Sequence, residues 1–431
     1  MGWTGKALLL AAAGAAAFGA AAMAQPTRKA PIATYWMSAQ TLTGMGAMAG
    51  PGGRPSAGAM MGMMMGGGMG GGGPQHQLTL QLGSQRQAQG EPSAEHLPPP
   101  SLKAGQSLPL VTPRSAPPVR EEPTEVPRDF QRPKGRMLIF WGCGEHAKPG
   151  QPVVIDFATI GKGQVPPGLA ALSKGLSLTP MQPPAPGRST TYGEWPNERT
   201  RTNVPGNGSL IGEHVVRGNY SPEIRFSLEP NQDFLGPLTL TANRKNPSGS
   251  GQLAWRPVPG SLAYMATAMG GGQNDTVVMW SSSEVQASAF ALPDYIAPGD
   301  ISRLVASHAL MSPQTTSCTI PKEVIDAAPS AFVQMAAYGG EANFVYPPRP
   351  ADPKAAWNPE WQVKVRYRSA TSGILGMDMN EMGGGMGDDE DRPGPRGPRG
   401  GPPPRGQAQP PQSPAGAIMR GLGGLGRLPG F

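Results

Sequence analysis

The stretch WQVKVRYR, Trp361 to Arg368, decides the fold class. In an extended chain successive side chains point to opposite faces, so Val363, Val365 and Tyr367 share one side while Lys364, Arg366 and Arg368 share the other. Alternation of this kind marks a half-buried strand. The same period runs through HQLTLQL, His76 to Leu82, where Leu78, Leu80 and Leu82 alternate with polar neighbours. Continuous apolar runs occur in RMLIFW (136–141), PVVIDF (152–157) and TVVMW (276–280), and strands covered on both faces read this way. TYWMSAQTL (34–42), QSLPLVT (106–112), LIGEHVV (210–216), EIRFSL (223–228), PLTLTA (237–242), LAYMATA (262–268), AFVQMAAY (331–338) and NFVYP (343–347) add further strand candidates. Gly, Pro or Asn separates them at short spacing, which favours all-β sandwiches. Only PGLAALSKGL (167–176) and PKEVIDAA (321–328) allow a turn or two of helix.

Glycine and proline set the other limit. The chain has 62 glycines and 52 prolines in 431 residues, about a quarter of the whole, close to the range in which segments stop folding. Gly44 to Gln75 contains MMGMMMGGGMGGGG, and glycine this dense resists ordering because it loses the most backbone entropy of any residue. TYWMSAQTL and HQLTLQL bracket that segment, which predicts a hairpin carrying a disordered Met/Gly insertion at 44–75. Residues 91–133 are proline-rich and read as an extended connection holding one short strand. The tail, 376–431, passes through an acidic run into RPGPRGPRGGPPPRG and reads as flexible, solvated low complexity.

At the N-terminus one cation, Lys6, precedes the apolar run ALLLAAAGAAAFGAAAMA, which closes on Ala22-Met23-Ala24. This layout predicts a secretory signal peptide over residues 1–24 and an exported, periplasmic or extracellular, mature protein without a transmembrane segment. Export argues against nucleic acid as a partner. The formal net charge of +7 is a mild basic excess that suits anionic envelope surfaces. The two cysteines, Cys143 and Cys318, meet an oxidising compartment, so one disulfide is the default expectation.

Candidate chemistry is sparse. No G-x-S-x-G, H-E-x-x-H or Walker lysine motif is present, which removes the strongest hydrolase, zincin and nucleotide-binding signals. WGCGEHA (141–147) places Cys143 and His146 three positions apart, and a second GEH brings His214; the two turns would offer imidazole ligands if they met. A disulfide at Cys143 would remove its thiolate and make the turn a strand end. Twelve of the 23 methionines lie in the two Met/Gly-rich segments. Thioethers select Cu(I), so Met60, Met61, Met63, Met64, Met65 and Met69, with His76, form a candidate copper site; no other cofactor is expected. The bland alternative is a soft, adaptable contact surface. DMNEMGGGMGDD (378–389) matches a calcium loop at Asp378, Asn380 and Gly383 but carries Met382 and Asp389 at ligand positions. TYGEWPNERTR (191–201) groups Glu194, Trp195 and Glu198 in what reads as a polar, aromatic loop suited to sugar contact.

QLAWRPVPGSLAYMATA (252–268), followed by DTVVMW and SAFVQMAAYGGEANF, has a Trp strand, a Pro/Gly turn and a Tyr strand, and resembles fibronectin type III-like sandwiches over residues 252–346. The chain as a whole resembles exported bacterial proteins. The resemblance implies two immunoglobulin/fibronectin-like β-sandwich domains, at 31–245 and 251–375, and carries no chemistry of its own. The resulting expectation is a non-enzymatic envelope binding or scaffolding protein whose partner is an envelope protein or polysaccharide. The alternative is a periplasmic copper-handling protein.

Overall fold

The computed structural model describes residues 30–48, 73–114, 135–160, 176–200, 204–286, 292–352 and 355–377. The expected signal segment 1–24, methionines 60–69, the calcium-loop match and the tail from 378 onward lie outside these residues. Among the described residues no helix is long and apolar enough to cross a membrane.

The protein is mostly β. Its largest sheet has nine strands in the order β6 (Val153–Asp156), β5 (Arg136–Trp141), β13 (Thr276–Ser281), β12 (Ser261–Gly271), β15 (Phe332–Tyr346), β16 (Trp361–Ile374), β1 (Ala33–Gly44), β2 (Gln75–Ser84) and β7 (Thr191–Trp195). β16 runs parallel to β1, from Ala33 opposite Trp361 to Gly44 opposite Ser372, and β5 runs parallel to β13. The other neighbours are antiparallel, including β1 with β2, the pairing that the hairpin reading requires. Two smaller sheets complete the fold: β4 (Leu108–Leu110), β3 (Ala94–Leu97), β8 (Gly212–Gly218) and β9 (Ser221–Leu228) in one, and β10 (Leu240–Lys245), β11 (Gly251–Trp255) and β14 (Ser317–Ile320) in the other.

Alternation within each strand decides what faces what. On β1, β2 and β16 the residues Tyr35, Met37, Leu80, Leu82 and Val365 are fully buried on one face. They share a single core with Val216, Ile224 and Phe226 of the four-stranded sheet and with Leu253, Trp255 and Ile320 of the three-stranded sheet. The small sheets therefore cover one face of the large one. Ring contacts mark the seam, with Phe226 centroids 6.4 Å from Tyr35 and 5.2 Å from Phe344, and Trp255 5.5 Å from Tyr264. Each large apolar side chain buried here contributes about 1.5–3 kcal/mol.

The opposite face is covered unevenly. Over β12 and β15 the helix Pro298–Ala306 buries Ile301 and Leu304 against Ala263, Met265, Ala336 and Tyr338. Over β16, β1 and β2 the outward residues are mostly polar, with Trp36 and Leu42 among them, and the segment 176–190 crosses above. Gly83 permits that crossing, because a Cβ there would lie 2.3 Å from Ser189 Oγ and 2.8 Å from Pro184 Cβ.

Three expectations need correction. The boundary near 245–251 does not separate two sandwiches, since the nine-stranded sheet takes β6, β5, β1, β2 and β7 from before it and β13, β12, β15 and β16 from after it. The physical reason is the β1–β16 ladder, which makes the first and last strands neighbours. The proline-rich stretch 91–133 is more than a connection: β3 and β4 lie in it, although 115–133 fall outside the described residues. PVVIDF is not covered on both faces: in the edge strand β6 Ile155 is buried while Val154, on the opposite face, is 48% exposed.

Cys143 and Cys318 are bridged, with Cα atoms 5.3 Å apart and a sequence separation of 175. Cys143 follows β5 and Cys318 lies in β14, so the bond ties the large sheet to the three-stranded one. On the chain-entropy model a loop of this length stabilises the fold by about 5 kcal/mol, less any native strain. The expected outcome is that a Cys143→Ala/Cys318→Ala variant loses about 3–5 kcal/mol in urea unfolding, and that native protein shows no reactive thiol before reduction. Titration of two thiols in unreduced, folded protein would refute the pairing.

Candidate functional site

The turn at WGCGEHA is a structural corner. Gly142 N–H donates to Ser281 O (2.9 Å), Gly144 N–H to Thr319 O (2.8 Å) and Cys143 N–H to Glu284 Oε1 (3.1 Å), while Gly142 O accepts from Trp280 Nε1 (2.9 Å). His146 projects outward, its side chain 69% exposed and paired with Glu323 at 3.0 Å. His214 lies instead in the core on β8, with no exposure. The two imidazoles do not meet, and the candidate ligand pair His146/His214 is set aside. Among the described residues no group of three His, Cys, Asp or Glu could hold a metal ion.

His214 belongs to a buried chain that the sequence did not announce. The Tyr35 hydroxyl lies 2.7 Å from His96 Nδ1, His96 Nε2 lies 3.1 Å from His214 Nδ1, and His214 Nε2 lies 2.7 Å from Leu210 O. A carbonyl only accepts, so His214 carries its proton on Nε2 and its Nδ1 accepts from His96 Nε2–H. His96 Nδ1 then accepts from Tyr35, and every polar atom in the chain is satisfied with both rings neutral. Burial holds His96 well below the ordinary imidazole range, reinforced by the neighbouring His214, and lowers His214 to about 4.

Glu194 and Trp195 lie on β7, not in a loop. Trp195 is 1% exposed within the core, so its ring is closed to a sugar face. Glu194 Oε2 accepts from Tyr192 OH at 2.6 Å, and Tyr192 OH in turn accepts from Gln81 Nε2 at 3.2 Å, which makes the group an internal clasp on β2. The reading of this motif as a saccharide surface is therefore corrected. His76, the imidazole expected beside the Met-rich loop, is half-buried and stacked on Phe234 with centroids 3.9 Å apart. Its six companion methionines lie outside the described residues.

The strongest candidate site is a cleft of about 770 Å³ on the outer face of the large sheet. Its floor is Ser38 and Gln40 of β1, Gln77 and Thr79 of β2, and Arg366 of β16; its walls are Leu178–Met181 with Pro183, and Pro293–Ile296, which includes the carboxylate of Asp294. Register aligns the floor, with Ser38 opposite both Arg366 and Thr79, and Gln40 opposite Gln77. One wall is fixed where Thr179 N–H donates to Asp300 Oδ2 at 2.7 Å, tethering it to the helix Pro298–Ala306. No protein-family model, curated protein or solved structure matches the chain. The reading of the cleft thus rests on its own geometry.

Arg366 is its central feature. The guanidinium lies 5.0 Å from the Trp36 ring centroid and 4.2 Å from that of Tyr295, and Nε donates to Ser38 Oγ at 2.8 Å. Its neighbours are neutralised, Lys364 by Glu341 and Arg368 by Asp294. Among the described residues Arg366 has no carboxylate partner. Burial weakens its hold on the proton relative to an ordinary guanidinium, and Tyr295 is pushed up to about 12 by the same cause. At neutral pH the group is a cation presented to a floor of amides and hydroxyls, an arrangement built for recognition. The sequence showed the Arg366 face as polar, but Trp36, Ser38 and Tyr295 come from distant segments that only the folded sheet assembles.

The histidine chain yields a pH test. Because the folded imidazoles titrate below the unfolded value of about 6.5, their contribution is fully present above that pH and declines as pH falls from about 6.5 toward about 4. Each imidazole is expected to add about 1.4 kcal/mol per pH unit to the slope of stability in that window. Urea unfolding at stepped pH checks this, and a His96→Leu/His214→Leu variant is expected to lose the extra slope. An unchanged slope in the variant would show that the two rings are not the titrating groups.

Proposed function

We propose that this chain is an exported, non-enzymatic binding protein of the cell envelope that takes its ligand in the cleft over β16, β1 and β2. The observation that carries the reading is Arg366, a charge set against two rings without an ion-pair partner among the described residues, facing a ligand-sized recess whose floor is otherwise amides and hydroxyls and whose wall carries one carboxylate, Asp294, paired with Arg368. The N-terminal segment with the layout of a signal peptide supports export, and the bridged cysteines suit an oxidising compartment. The partner class is an envelope polysaccharide or an envelope protein, and the chain's basic excess favours an anionic one.

The floor amides offer the cleanest test, since Gln40 and Gln77 take part in no ion pair and lie away from the buried core. Mature protein immobilised on beads is expected to retain a component of envelope extract. Gln40→Ala/Gln77→Ala is expected to weaken that retention roughly tenfold or more, at about 1 kcal/mol per lost hydrogen bond. Retention of the same component at full strength by the double variant, or of nothing by either protein, would overturn the cleft as the binding site.

A further inference from the structure

Resting on the proposal that the cleft binds an envelope ligand, we infer that its ligand is an acidic saccharide whose carboxylate is received by Arg366. Among the described residues the ion pairs along β16 leave Arg366 without a carboxylate. Lys364 is taken by Glu341 and Arg368 by Asp294, whereas Arg366 spends only Nε, on Ser38. Its Nη1 and Nη2 make no hydrogen bond among the described residues, and they are the pair of donors that meets a carboxylate in fork geometry. The rings of Trp36 and Tyr295 fix the plane of the guanidinium, so little freedom is lost when an anion docks.

The neutral part of the floor selects the rest of the ligand. β16 and β1 are paired along both edges across the floor, so a peptide finds no free main-chain edge on them, while β2 is paired with β1 throughout the floor and with β7 only over Leu80–Ser84. Only side chains read the ligand: the hydroxyls of Ser38 and Thr79 and the amides of Gln40 and Gln77. Each of these donates as well as accepts, as does every hydroxyl of a sugar ring. They sit on a grid of about 4.8 Å between strands and about 7 Å along each strand. Pro180, Met181, Pro183 and Pro293 border the grid and give the C–H faces of sugar rings an apolar surface.

The test is calorimetric titration of the full mature chain with a short oligogalacturonate, its methyl ester, inorganic phosphate, and a short peptide with a free C-terminal carboxylate. The acid oligosaccharide is expected to bind, with affinity falling as salt rises, and the ester about tenfold or more weaker. Arg366→Gln is expected to bind acid and ester alike. Arg366→Lys, which keeps the charge but not the fork, is expected to fall between, and thermal unfolding of both variants checks that they are folded. Equal binding of acid and ester by the native chain overturns the carboxylate assignment, while a loss in Gln40→Ala/Gln77→Ala would still uphold the cleft. Tighter binding of phosphate or of the peptide overturns the saccharide assignment. Failure of all four probes against a chain that still retains an envelope component through the cleft overturns the inference and leaves the binding role standing.

Discussion

The parallel ladder between β1 and β16 is the constraint on which the remaining structure depends. It brings together residues 328 positions apart in sequence along the whole length of β1. Closing so long a loop costs only a little more chain entropy than closing one half as long, because the cost grows with the logarithm of length. The gain is large: Tyr35, Met37, Val363 and Val365 become central in a sheet and need a cover. The four-stranded and three-stranded sheets supply it. The chain between the two ladder strands must also deliver β2, β15 and their neighbours to either flank, so no cut near the middle of the sequence can leave two complete cores. The disulfide reinforces the same logic by fastening the cover to the sheet.

Burying the inner face brings polar groups with it, and the fold handles them by ordering protons. Tyr35 sits in the ladder strand itself, and its hydroxyl would be costly to bury alone. His96 and His214, from two strands of the covering sheet, extend a directional line of hydrogen bonds from that hydroxyl to the Leu210 carbonyl. The stacked contact of His214 with Phe226, centroids 5.0 Å apart, packs the line into the apolar core. The sheet and its cover are thus held by matched polar groups as well as by area, and the match works only while both rings are neutral.

Much of this was legible in the sequence. Period-two patterning located β1, β2, β16 and most other strands, the bracketing of the Met/Gly segment implied the β1–β2 hairpin, and two cysteines behind a segment with the layout of a signal peptide implied one bridge. What escaped notice was short or non-local. β3 and β14 span four residues each, too few to show a period, and β3 carries His96. β7 was hidden by the polar residues of TYGEW, whose Glu194 and Tyr192 satisfy each other. Strand order has no local signature at all, so the domain division followed sequence order and missed the shared sheet. The site escaped for the same reason: KVRYR shows a cationic face, but nothing near it in sequence says that rings from β1 and from residue 295 will enclose its middle member.

The three cations on the outer face of β16 illustrate how the ladder shapes chemistry. Outward positions two apart on one strand lie about 7 Å from each other, close enough for Lys364, Arg366 and Arg368 to repel in a partly dry setting. Glu341 lies opposite Arg366 in register, yet its carboxylate reaches diagonally to Lys364. That choice leaves Arg366 to be held by Trp36 and Tyr295, and cation–ring attraction of about 0.5–2 kcal/mol steadies a guanidinium without cancelling its charge. A carboxylate in the same place would have closed the site from within. Rings in that role keep the cation in position and its outer donors unspent, and a central strand of a large sheet thereby presents a fixed positive charge to a recess whose floor is otherwise uncharged.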